Sequence, residues 1–475
     1  MQPLDLLIIG GGISGLSSAW WLHHLGLSME LWESGAEPGG KIASRREAGY
    51  LCEQGASMIV NHRPEVERLI TECGAGLTRL QRPARVNATR YLLEQERLLP
   101  LRPTLPGMAR SSLISWRGKL RMLAEPLLPR GNSATESVAD FIRRRMGPEL
   151  LDRALDPFVS GTLANDPEQA CARSILPRLT ALETEYGSIL LGALWKRLQG
   201  QRTPVGQPSF SFLEGMQTLP RVLAQALEAR PGQLRYHHRA LLVERCARGW
   251  RVTASTPDGE RTVECRQLML CCPATVSAQL LKSSAAELSH LLTGIEYAPI
   301  TLVHTGFASE NINHPLDSQG FLTPSKSTLS INGCLWPSSI FSNRAPTGHH
   351  LLTSYLGGSR RPQAVDWDHK TSLQAVLDDL DQLLGIGADP DYVSLVRHPQ
   401  GLPRYPLGHH QRYQRIQQLC QQQPGLSLNG NYLEGVSVRE RIAASYRLAG
   451  RVIHTIKEHP SRSLQVPVDL RVAIP

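Results

Sequence analysis

The sequence predicts an α/β protein, and features of its first 33 residues carry the prediction. Leu6 to Ile9 is a short aliphatic run, typical of a strand buried on both faces of a parallel sheet. A glycine-rich turn follows, and the apolar residues from Ile13 to Leu25 recur at helical spacing until Gly26. Met29 to Trp32 predicts a second strand, which Glu33 closes. This order of elements is typical of a Rossmann-like dinucleotide-binding unit.

The turn has the G-x-G-x-x-G spacing, and each of its residues has a predicted role. The first glycine permits the tight turn, the second lets the backbone approach a pyrophosphate, and the third lets the helix pack on the strand. The N-terminus of the predicted helix faces the pyrophosphate. Glu33 accepts hydrogen bonds from a ribose diol, and its negative charge disfavours the 2′-phosphate of NADP. The predicted cofactor-binding residues of this segment are Gly10, Gly12, Ile13, Ser14, Gly15 and Glu33.

Length and composition exclude several classes of protein. The 475 residues suffice for two or three packed units, and no apolar run reaches the roughly 18 residues that a bilayer span needs. The first apolar run is already the first strand, so we expect no secretory leader and a cytoplasmic protein. Nine scattered cysteines without a Cys/His cluster predict no metal site. The net charge of +9 suits acidic lipids or substrates, but no motif predicts nucleic-acid binding.

A second glycine turn bears on which dinucleotide is bound. SGAEPGGKIAS follows Glu33, and GYLCEQGASMI then carries Glu53 before a Gly-Ala pair. This succession resembles the FAD-binding start of the flavin amine oxidase superfamily. The resemblance implies FAD as cofactor, with the Gly-Gly-basic turn along its pyrophosphate and near the flavin. It assigns to the cofactor site Gly39, Gly40, Lys41, Gly55, Ala56 and Ser57.

Two later segments resemble the remaining parts of the same FAD domain. Residues 240–281 predict three strands and then a helix from about Ala274, with a turn at Pro257-Asp258-Gly259. The resemblance places the backbone of Val243 against the adenine. In LSLNGNYLEGVSVRERIAASYRLAGRVI, a strand and glycines precede an amphipathic helix, whose N-terminus would stabilise the charge of a reduced flavin. The flavin-binding residues implied here are Gly430, Val436, Ser437 and Val438.

The intervening segments resemble one family within this superfamily. The segment LLDRALDPFVSGTLANDPEQACARSILPRLTALETEYGSILLGALWK contains a Gly-x-hydrophobic-Ala-x-Asp turn at Gly161–Asp166 and an acid-x-x-Tyr-Gly-Ser run at Glu183–Ile189. GLPRYPLGHHQRYQRI contains a Pro-x-Tyr-x-x-Gly-His element. Together, over essentially the whole chain, these motifs resemble the oxygen-dependent protoporphyrinogen oxidases. The resemblance implies a six-electron oxidation of protoporphyrinogen IX to protoporphyrin IX in haem biosynthesis, with O2 as the acceptor.

Other functions remain open from the residues alone. They are the oxidation of coproporphyrinogen III to coproporphyrin III, an amine or carotenoid-type flavin oxidase, and an inactive flavin-binding partner. In porphyrinogen oxidation the flavin N5 takes the hydride, so we assign no catalytic side chain. His409 and His410 are interpreted as a loop pair rather than as general bases.

A porphyrinogen needs a cationic anchor, because its propionates are anionic while its macrocycle is flat and apolar. By resemblance, Arg90 in ATRYLL occupies the position of a propionate-binding arginine. The alternative is a solvated surface arginine.

The domains are expected to interleave along the chain. We predict an FAD domain from residues 1–75, 205–292 and 408–475, a mixed-sheet substrate domain from 76–100 and 293–407, and a helical subdomain from 101–204.

The helical subdomain is the predicted membrane contact. SLISWRGKLRMLAEPLLPR mixes apolar and basic residues as an interfacial helix would, and SATESVADFIRRRMG opens with a capping box, Ser133 to Glu136. We expect either peripheral association with the inner face of the membrane or a soluble helical cap, because core helices show the same amphipathic pattern. A homodimer is compatible with the sequence.

Overall fold

The structure, a computed structural model, describes residues 2–60, 63–83, 86, 90–101, 111, 113–132, 135–200, 209–230 and 232–458. Its strands are β1 Leu4–Ile9, β2 Met29–Trp32, β3 Ser44–Glu47, β4 Tyr50–Glu53, β5 Ile59–Val60, β6 Arg79–Gln81, β7 Arg90–Glu94, β8 Arg97–Leu101, β9 Ser209–Phe212, β10 Leu234–Arg235, β11 Arg239–Cys246, β12 Gly249–Thr256, β13 Gly259–Leu270, β14 Tyr297–Ala308, β15 Gly320–Leu322, β16 Gly333–Leu335, β17 His349–Gly357, β18 Tyr392–Pro403 and β19 Leu426–Leu428.

The longer helices are α1 Ile13–Leu22, α2 Pro64–Glu72, α3 Trp116–Leu123, α4 Val138–Arg145, α5 Asp156–Leu163, α6 Ala172–Ile175, α7 Pro177–Tyr186, α8 Ile189–Leu198, α9 Thr218–Glu228, α10 Ala274–Leu281, α11 Ala286–Thr293, α12 Pro337–Ile340, α13 His369–Leu384, α14 His409–Gln421 and α15 Val438–Glu458. Among the helices of the described residues, none is both long enough and apolar enough to cross a bilayer.

The first large sheet has seven strands in the order β10-β2-β1-β13-β12-β11, and β19 also pairs with β13. β13 pairs with two different strands along one of its edges. Its first half pairs antiparallel with β12, and residues 268–270 pair parallel with β19. The strands on either side of β1 run parallel to it, so the sheet confirms the α/β class and the predicted Rossmann-like start.

Both faces of this parallel sheet are covered, which explains the unbroken aliphatic run in β1. Leu6 and Ile8 belong to the core packed under α1, α9 and α15, while Leu7 and Ile9 belong to the core on the opposite face. The predicted helix from Ile13 to Leu25 is α-helical only to Leu22. A 3₁₀ turn completes it, and Gly26 then adopts the left-handed conformation.

The second large sheet has the order β18-β14-β17-β16-β15-β7-β8. The β7–β8 hairpin joins it through parallel pairing of Phe321 with Tyr91, so residues 90–101 share a sheet with strands from residue 297 onwards. α13 packs on one face through Val376, Leu380 and Leu384. Arg79–Gln81 does not join this sheet, although it falls within the predicted substrate segment. It pairs with β9, whose Phe210 and Phe212 are fully buried in the core of the FAD domain.

The helical unit, which comprises the helices between residues 116 and 198, has its own apolar core and a buried ionic cluster. The Arg145 side chain is fully buried and forms ion pairs with Glu125 and Glu183. Glu125 also accepts hydrogen bonds from the hydroxyl of Ser188 and the amide of Ile189, which caps α8. Because breaking a buried ion pair costs several kcal/mol, about 3–5, this cluster fixes α8 against α4.

The N-terminus of α4 differs from the predicted capping box. Ser133 lies outside the described residues, and the N-cap is Ser137, whose hydroxyl accepts a hydrogen bond of 3.0 Å from the amide of Asp140. Glu136 is instead engaged by Arg144 at 2.7 Å. The carboxylate therefore forms an ion pair within the helical unit, and a serine-aspartate pair caps the helix.

Candidate active site

The glycine-rich turn brings β1, α1 and β13 too close together for side chains. Gly10 has φ of +109°, and a Cβ there would lie 3.0 Å from the carbonyl of Cys271. A Cβ on Gly15 would lie 2.0 Å from the oxygen of Gly10. The first and third glycines of the motif are therefore required by the turn and by the helix–strand packing.

The N-terminus of α1 is open to an anion. Its N-cap, Gly12, provides no side chain, and the first turn, which contains Ile13 and Ser14, has no acidic residue. The earliest amide of the helix with a backbone acceptor is that of Leu16, bonded to Gly12 at 3.0 Å. The amides that precede it and the positive end of the helix dipole suit the pyrophosphate of a dinucleotide.

Glu33 lies beside this turn at the end of β2. Its two carboxylate oxygens accept hydrogen bonds of 2.7 Å from the amides of Gly11 and Gly35. A carboxylate oxygen can accept more than one hydrogen bond, so Glu33 retains capacity for the two hydroxyls of a ribose. The geometry fits the ribose-binding role that its position predicts.

The second glycine turn packs directly on the first. The amide of Gly39 donates to the carbonyl of Gly11 at 2.8 Å, and Gly39 bridges to Gly12. Gly39 and Gly40 have φ values of +119° and +59°, and a Cβ on Gly39 would lie 2.4 Å from the oxygen of Ile42. The two turns thus form one continuous glycine-lined cradle, which Cβ atoms would distort.

Lys41 extends from this cradle to the second large sheet. Its ammonium donates to the carbonyls of Gln400 and of Gly401, the latter at 2.6 Å. Burial lowers the pKa of Lys41 to about 8. The lysine therefore ties the cofactor turn to β18, a contact that the sequence did not predict. Gly55 packs beneath it, because a Cβ there would lie 2.2 Å from the carbonyl oxygen of Lys41.

The residues after Gly55 bring the two sheets together. Ala56 packs against the core of the FAD domain. Ser57 hydrogen-bonds to the hydroxyl of Tyr355, and burial raises the pKa of this tyrosine well above its ordinary value. Tyr355 lies on β17 in the middle of the second sheet. The contact places the second large sheet against the segment predicted to bind the flavin.

Val243 lies on β11, at the edge of the first sheet. Its side chain is fully buried and its register partner on β12 is Val252. β11 begins next to Glu33, since the amide of His238 donates to the carbonyl of Glu33 at 2.9 Å. The start of the strand that carries Val243 therefore lies beside Glu33.

The closing segment reaches the same region from the other end of the chain. Val436 and Ser437 precede α15, which begins at Val438, and the hydroxyl of Ser437 accepts from the amide of Glu440 at 3.4 Å. Glu440 is itself paired with Arg63 at 2.8 Å, so its charge at this helix terminus is compensated. The N-terminus of α15 thereby keeps its partial positive charge available to a ligand.

A buried polar network joins this closing segment to α1, and sequence reasoning did not find it. The side-chain amide of Asn429 donates to the hydroxyls of Ser18 and Ser445 at 3.0 Å and 2.9 Å. Ser445 in turn donates to the carbonyl of Ser14 at 3.0 Å. In the sequence, the network is indicated only by small polar residues on otherwise apolar helix faces in both segments. The network fixes β19 and α15 to α1.

Arg90 begins β7, at the edge of the second sheet that holds the hairpin. Burial lowers its pKa, and among the described residues no carboxylate forms an ion pair with it. Arg82 lies close by, since burial and the charge of Arg90 lower the pKa of Arg82 to about 10. A partly desolvated guanidinium such as that of Arg90, with no carboxylate partner in the described part of the chain, favours an anionic ligand.

His409 does not have the environment of a general base. Its ring stacks on Tyr405 with centroids 4.3 Å apart, and its Nε2 lies 3.3 Å from the carbonyl oxygen of Leu433. Burial lowers the pKa of His409 to about 4, so the ring is neutral at physiological pH. In the described part of the chain, no group of His, Cys, Asp and Glu could hold a metal ion.

Comparison with known proteins identifies the same fold and cofactor. The family model for flavin containing amine oxidoreductases matches residues 13–453. The mitochondrial protoporphyrinogen oxidase of Nicotiana tabacum is 30% identical over 479 residues, covering 94% of each chain. The coproporphyrinogen III oxidase of Bacillus subtilis is 25% identical and covers 92% of this chain and 95% of that protein.

Solved structures agree on the fold. A proposed protoporphyrinogen oxidase from Exiguobacterium sp. 255-15 is similar with a TM-score of 0.77 at 24% identity, covering 95% of this chain and 99% of that one. A reduced UDP-galactopyranose mutase has a TM-score of 0.71 at 16% identity, with 97% of each chain covered. The fold is therefore shared by flavoproteins of different activity, and the substrate has to be argued from the site.

Proposed function

This protein belongs to the flavin containing amine oxidoreductase family, and from that premise we propose that it oxidises protoporphyrinogen IX to protoporphyrin IX. The reaction removes six electrons in three two-electron steps, with FAD as the redox group. Three molecules of O2 accept the electrons and become three molecules of hydrogen peroxide. The chain is an FAD-dependent oxidoreductase, and its relatives named for porphyrinogen oxidation cover nearly its full length.

Arg90 is the observation that carries the substrate proposal. A guanidinium that is buried enough to have a lowered pKa, and has no described carboxylate partner, is costly unless it meets an anion. It lies on the sheet that also carries Tyr355, and Tyr355 contacts the flavin-side residue Ser57. An anionic group bound at Arg90 would therefore belong to a ligand that extends along this sheet toward the cofactor.

The protein's own groups have binding and orienting roles in this mechanism. When bound, FAD supplies the hydride acceptor for each methylene bridge and passes the electrons to O2. Glu33 would hold the ribose of FAD, the N-terminus of α1 would hold its pyrophosphate, and the N-terminus of α15 would stabilise the reduced flavin. Arg90 orients the macrocycle through one propionate. No side chain of the described site is assigned as an acid or base, because growing conjugation drives the hydride step.

Anaerobic mixing of the purified protein with a porphyrinogen tests the proposal. The yellow protein should lose its flavin absorption near about 450 nm, a band set by the cofactor. Readmitting air should restore the band and yield fluorescent porphyrin with peroxide. A flavin that stays oxidised with protoporphyrinogen IX and with coproporphyrinogen III would identify an inactive flavin-binding partner. Bleaching by amines instead would identify an amine oxidase.

Oxidation of coproporphyrinogen III is the second candidate, because the coproporphyrinogen III oxidase of Bacillus subtilis is 25% identical over 92% of this chain. Coproporphyrinogen has four propionates where protoporphyrinogen has two. Relatives named for either activity cover most of the chain. The ratio of kcat/KM for the two porphyrinogens separates these candidates, since only the chemistry of the side groups differs.

We further propose that the helical unit attaches to an anionic membrane surface, on the inner face of the membrane. On α3, exposed Trp116, Leu120 and Leu123 repeat at one helical face, and Leu127 follows them. On α8, the exposed apolar residues at corresponding spacings are Leu191, Leu194, Trp195 and Leu198. We call these eight residues the apolar patch.

The surroundings of the apolar patch support this proposal. The side chains of Trp116, Leu127 and Leu198 are 66%, 86% and 72% exposed. Exposing such large apolar groups to water is unfavourable, and clusters of them mark interaction surfaces. Exposed Arg117, Arg130 and Arg197 lie on the same segments and suit lipid phosphates. A membrane position would also suit delivery of a poorly soluble porphyrin. The alternative remains a soluble helical cap.

A further inference from the structure

The loop from Gly430 to Gly435, between β19 and α15, has its backbone carbonyls bound by buried side chains. Arg441 donates from Nη1 to the oxygen of Gly430 at 2.7 Å, and from Nε to the oxygen of Gly435 at 2.9 Å. The hydroxyl of Tyr405 donates to the oxygen of Asn431. We call Arg441, Tyr405 and His409, which lies near the oxygen of Leu433, the carbonyl clamp.

Each member of the carbonyl clamp is fixed by burial. Arg441 is 3% exposed, Tyr405 is 3% exposed, and His409 stacks on the Tyr405 ring. Burying a guanidinium is costly, and here Nε and Nη1 donate to the loop and to Asn429, whereas the buried Nη2 has no hydrogen-bond partner among the described residues. A clamp of this kind restricts the loop to one conformation, since each released carbonyl would be left without a donor.

Carbonyl oxygens carry partial negative charge, and a reduced flavin is electron-rich. A loop that lies at the flavin therefore favours flavin reduction only if other groups bind its carbonyl oxygens. Its amides and the N-terminus of α15 then remain free to stabilise the negative charge of the reduced flavin. We propose that Tyr405 is a positioning residue, which holds the carbonyl of Asn431 away from the cofactor and thereby raises the flavin reduction potential. This inference rests on the proposed FAD site.

Tyr405 is itself placed by the helical unit. Its amide donates to the side-chain oxygen of Asn165 at 2.9 Å, and its carbonyl accepts from the amide of Cys171 at 2.8 Å. Gln169 and Leu407 add a further backbone hydrogen bond of 2.8 Å between the same two segments. The helical unit thus positions Tyr405, and through Tyr405 it positions the loop from Gly430 to Gly435.

The substitution Tyr405→Phe tests the proposal, because it keeps the ring and its stacking but removes the hydroxyl. In the holoenzyme we expect FAD to stay bound, with a more negative reduction potential and an altered visible circular dichroism spectrum. The flavin reduction rate under anaerobic conditions should fall about three- to tenfold, the loss expected for one hydrogen bond, with KM unchanged within about twofold.

Tyr392→Phe is the matched control, since Tyr392 is a buried tyrosine whose hydroxyl contacts Glu47 and Cys52 rather than the loop. It should leave the potential unchanged. Should Tyr405→Phe not fold, Asn165→Ala releases Tyr405 from its other side and should shift the potential in the same direction. An unchanged potential in folded, FAD-bound Tyr405→Phe overturns the proposal. A wild-type protein that carries no FAD would instead overturn the proposed cofactor site.

Discussion

An oxygen of the Glu33 carboxylate accepts a 2.7 Å hydrogen bond from the amide of Gly11, which lies 22 residues earlier in the chain. This bond ties the end of the second strand to the turn after the first. The acid is therefore held at the ribose position before any ligand arrives, and binding need not order it. A substitution of Glu33 is therefore the most direct test of the predicted cofactor site.

Replacing Glu33 by arginine should abolish FAD binding. The substitution turns an acceptor for the ribose hydroxyls into a donor, and it removes the acceptor of the Gly11 and Gly35 amides. The flavin content of the purified variant, measured by absorbance after denaturation, checks the expectation. Glu310→Arg makes the same charge change at an exposed site and should keep its FAD. Stoichiometric FAD in Glu33→Arg would refute the assignment.

Arg90→Ala should preserve the fold and FAD but lower kcat/KM for porphyrinogen about ten- to a hundredfold. Losing a charge-assisted hydrogen bond in a partly desolvated place costs about 1.5–3 kcal/mol. Arg90→Lys should recover only part of the loss, because an ammonium cannot reproduce the planar fork. Steady-state kinetics with both porphyrinogens are the measurement. Arg97→Ala, an exposed arginine of the same hairpin, should behave as the wild type.

Equal kinetics in Arg90→Ala and the wild type would leave Arg90 as a surface residue. A wild type that prefers the four-propionate substrate would favour coproporphyrinogen III as the physiological substrate. These outcomes are independent, because one concerns the anchor and the other the number of carboxylates.

The double substitution Trp195→Ser and Leu198→Ser should weaken binding to vesicles that contain anionic phospholipids. Each side chain contributes on the order of 1.5–3 kcal/mol when fully buried, so partial insertion predicts a loss of at least about tenfold. Cosedimentation at low and high salt measures it, and salt should weaken binding of the wild type. Leu77→Ser removes a 94% exposed leucine outside the apolar patch and should have no effect. A wild type that ignores vesicles would favour the soluble cap.

Glu53 should make stability depend on pH. Burial raises the pKa of this carboxyl to about 7 from 4.5, although Ser44, Met216 and Arg344 partly offset the effect. The folded state thus binds the proton more tightly than the unfolded state. The contribution of this carboxyl to stability is complete below pH 4.5 and is lost as the pH rises through about 7.

Relative to Glu53→Gln, the wild type should therefore lose up to about 3 kcal/mol of unfolding free energy between pH 4 and pH 8. Urea unfolding at both pH values measures the difference. Glu310→Gln, at an exposed position, should show no such loss. Parallel pH profiles of wild type and Glu53→Gln would contradict the expectation.

Local patterns in the sequence predicted the start of the first sheet well, because β1 is a short aliphatic run that ends at a glycine turn. The predicted strand Met29–Trp32 and the helix beginning at Ala274 have these bounds in the structure. The predictions failed where tertiary contacts compete with local ones. Glu136 meets Arg144 instead of completing a capping box, so the cap moves to Ser137.

The candidate site was only partly accessible to such reasoning. Glycines and Glu33 belong to a fixed local spacing, so their roles could be inferred from the sequence. Lys41 was assigned to the cofactor, but its contacts with Gln400 and Gly401 span about 360 residues and leave no local pattern. Arg441 similarly lies in an amphipathic helix, where periodicity separates buried from exposed faces but does not identify the acceptors of a buried guanidinium.

The pairing of β13 with both β1 and β19 affects how the chain acquires its structure. A ribosome releases β1 before Leu426–Leu428 and the helix that covers β1, which emerge more than 400 residues later. Until then, the apolar strands of the nucleotide-binding half lack part of their cover. Long-range pairing of this kind slows folding and exposes surfaces that aggregate. Yields of recombinant protein should therefore improve at low temperature and with co-expressed chaperones, and we expect stable flavin binding only after residues 426–458 have been translated.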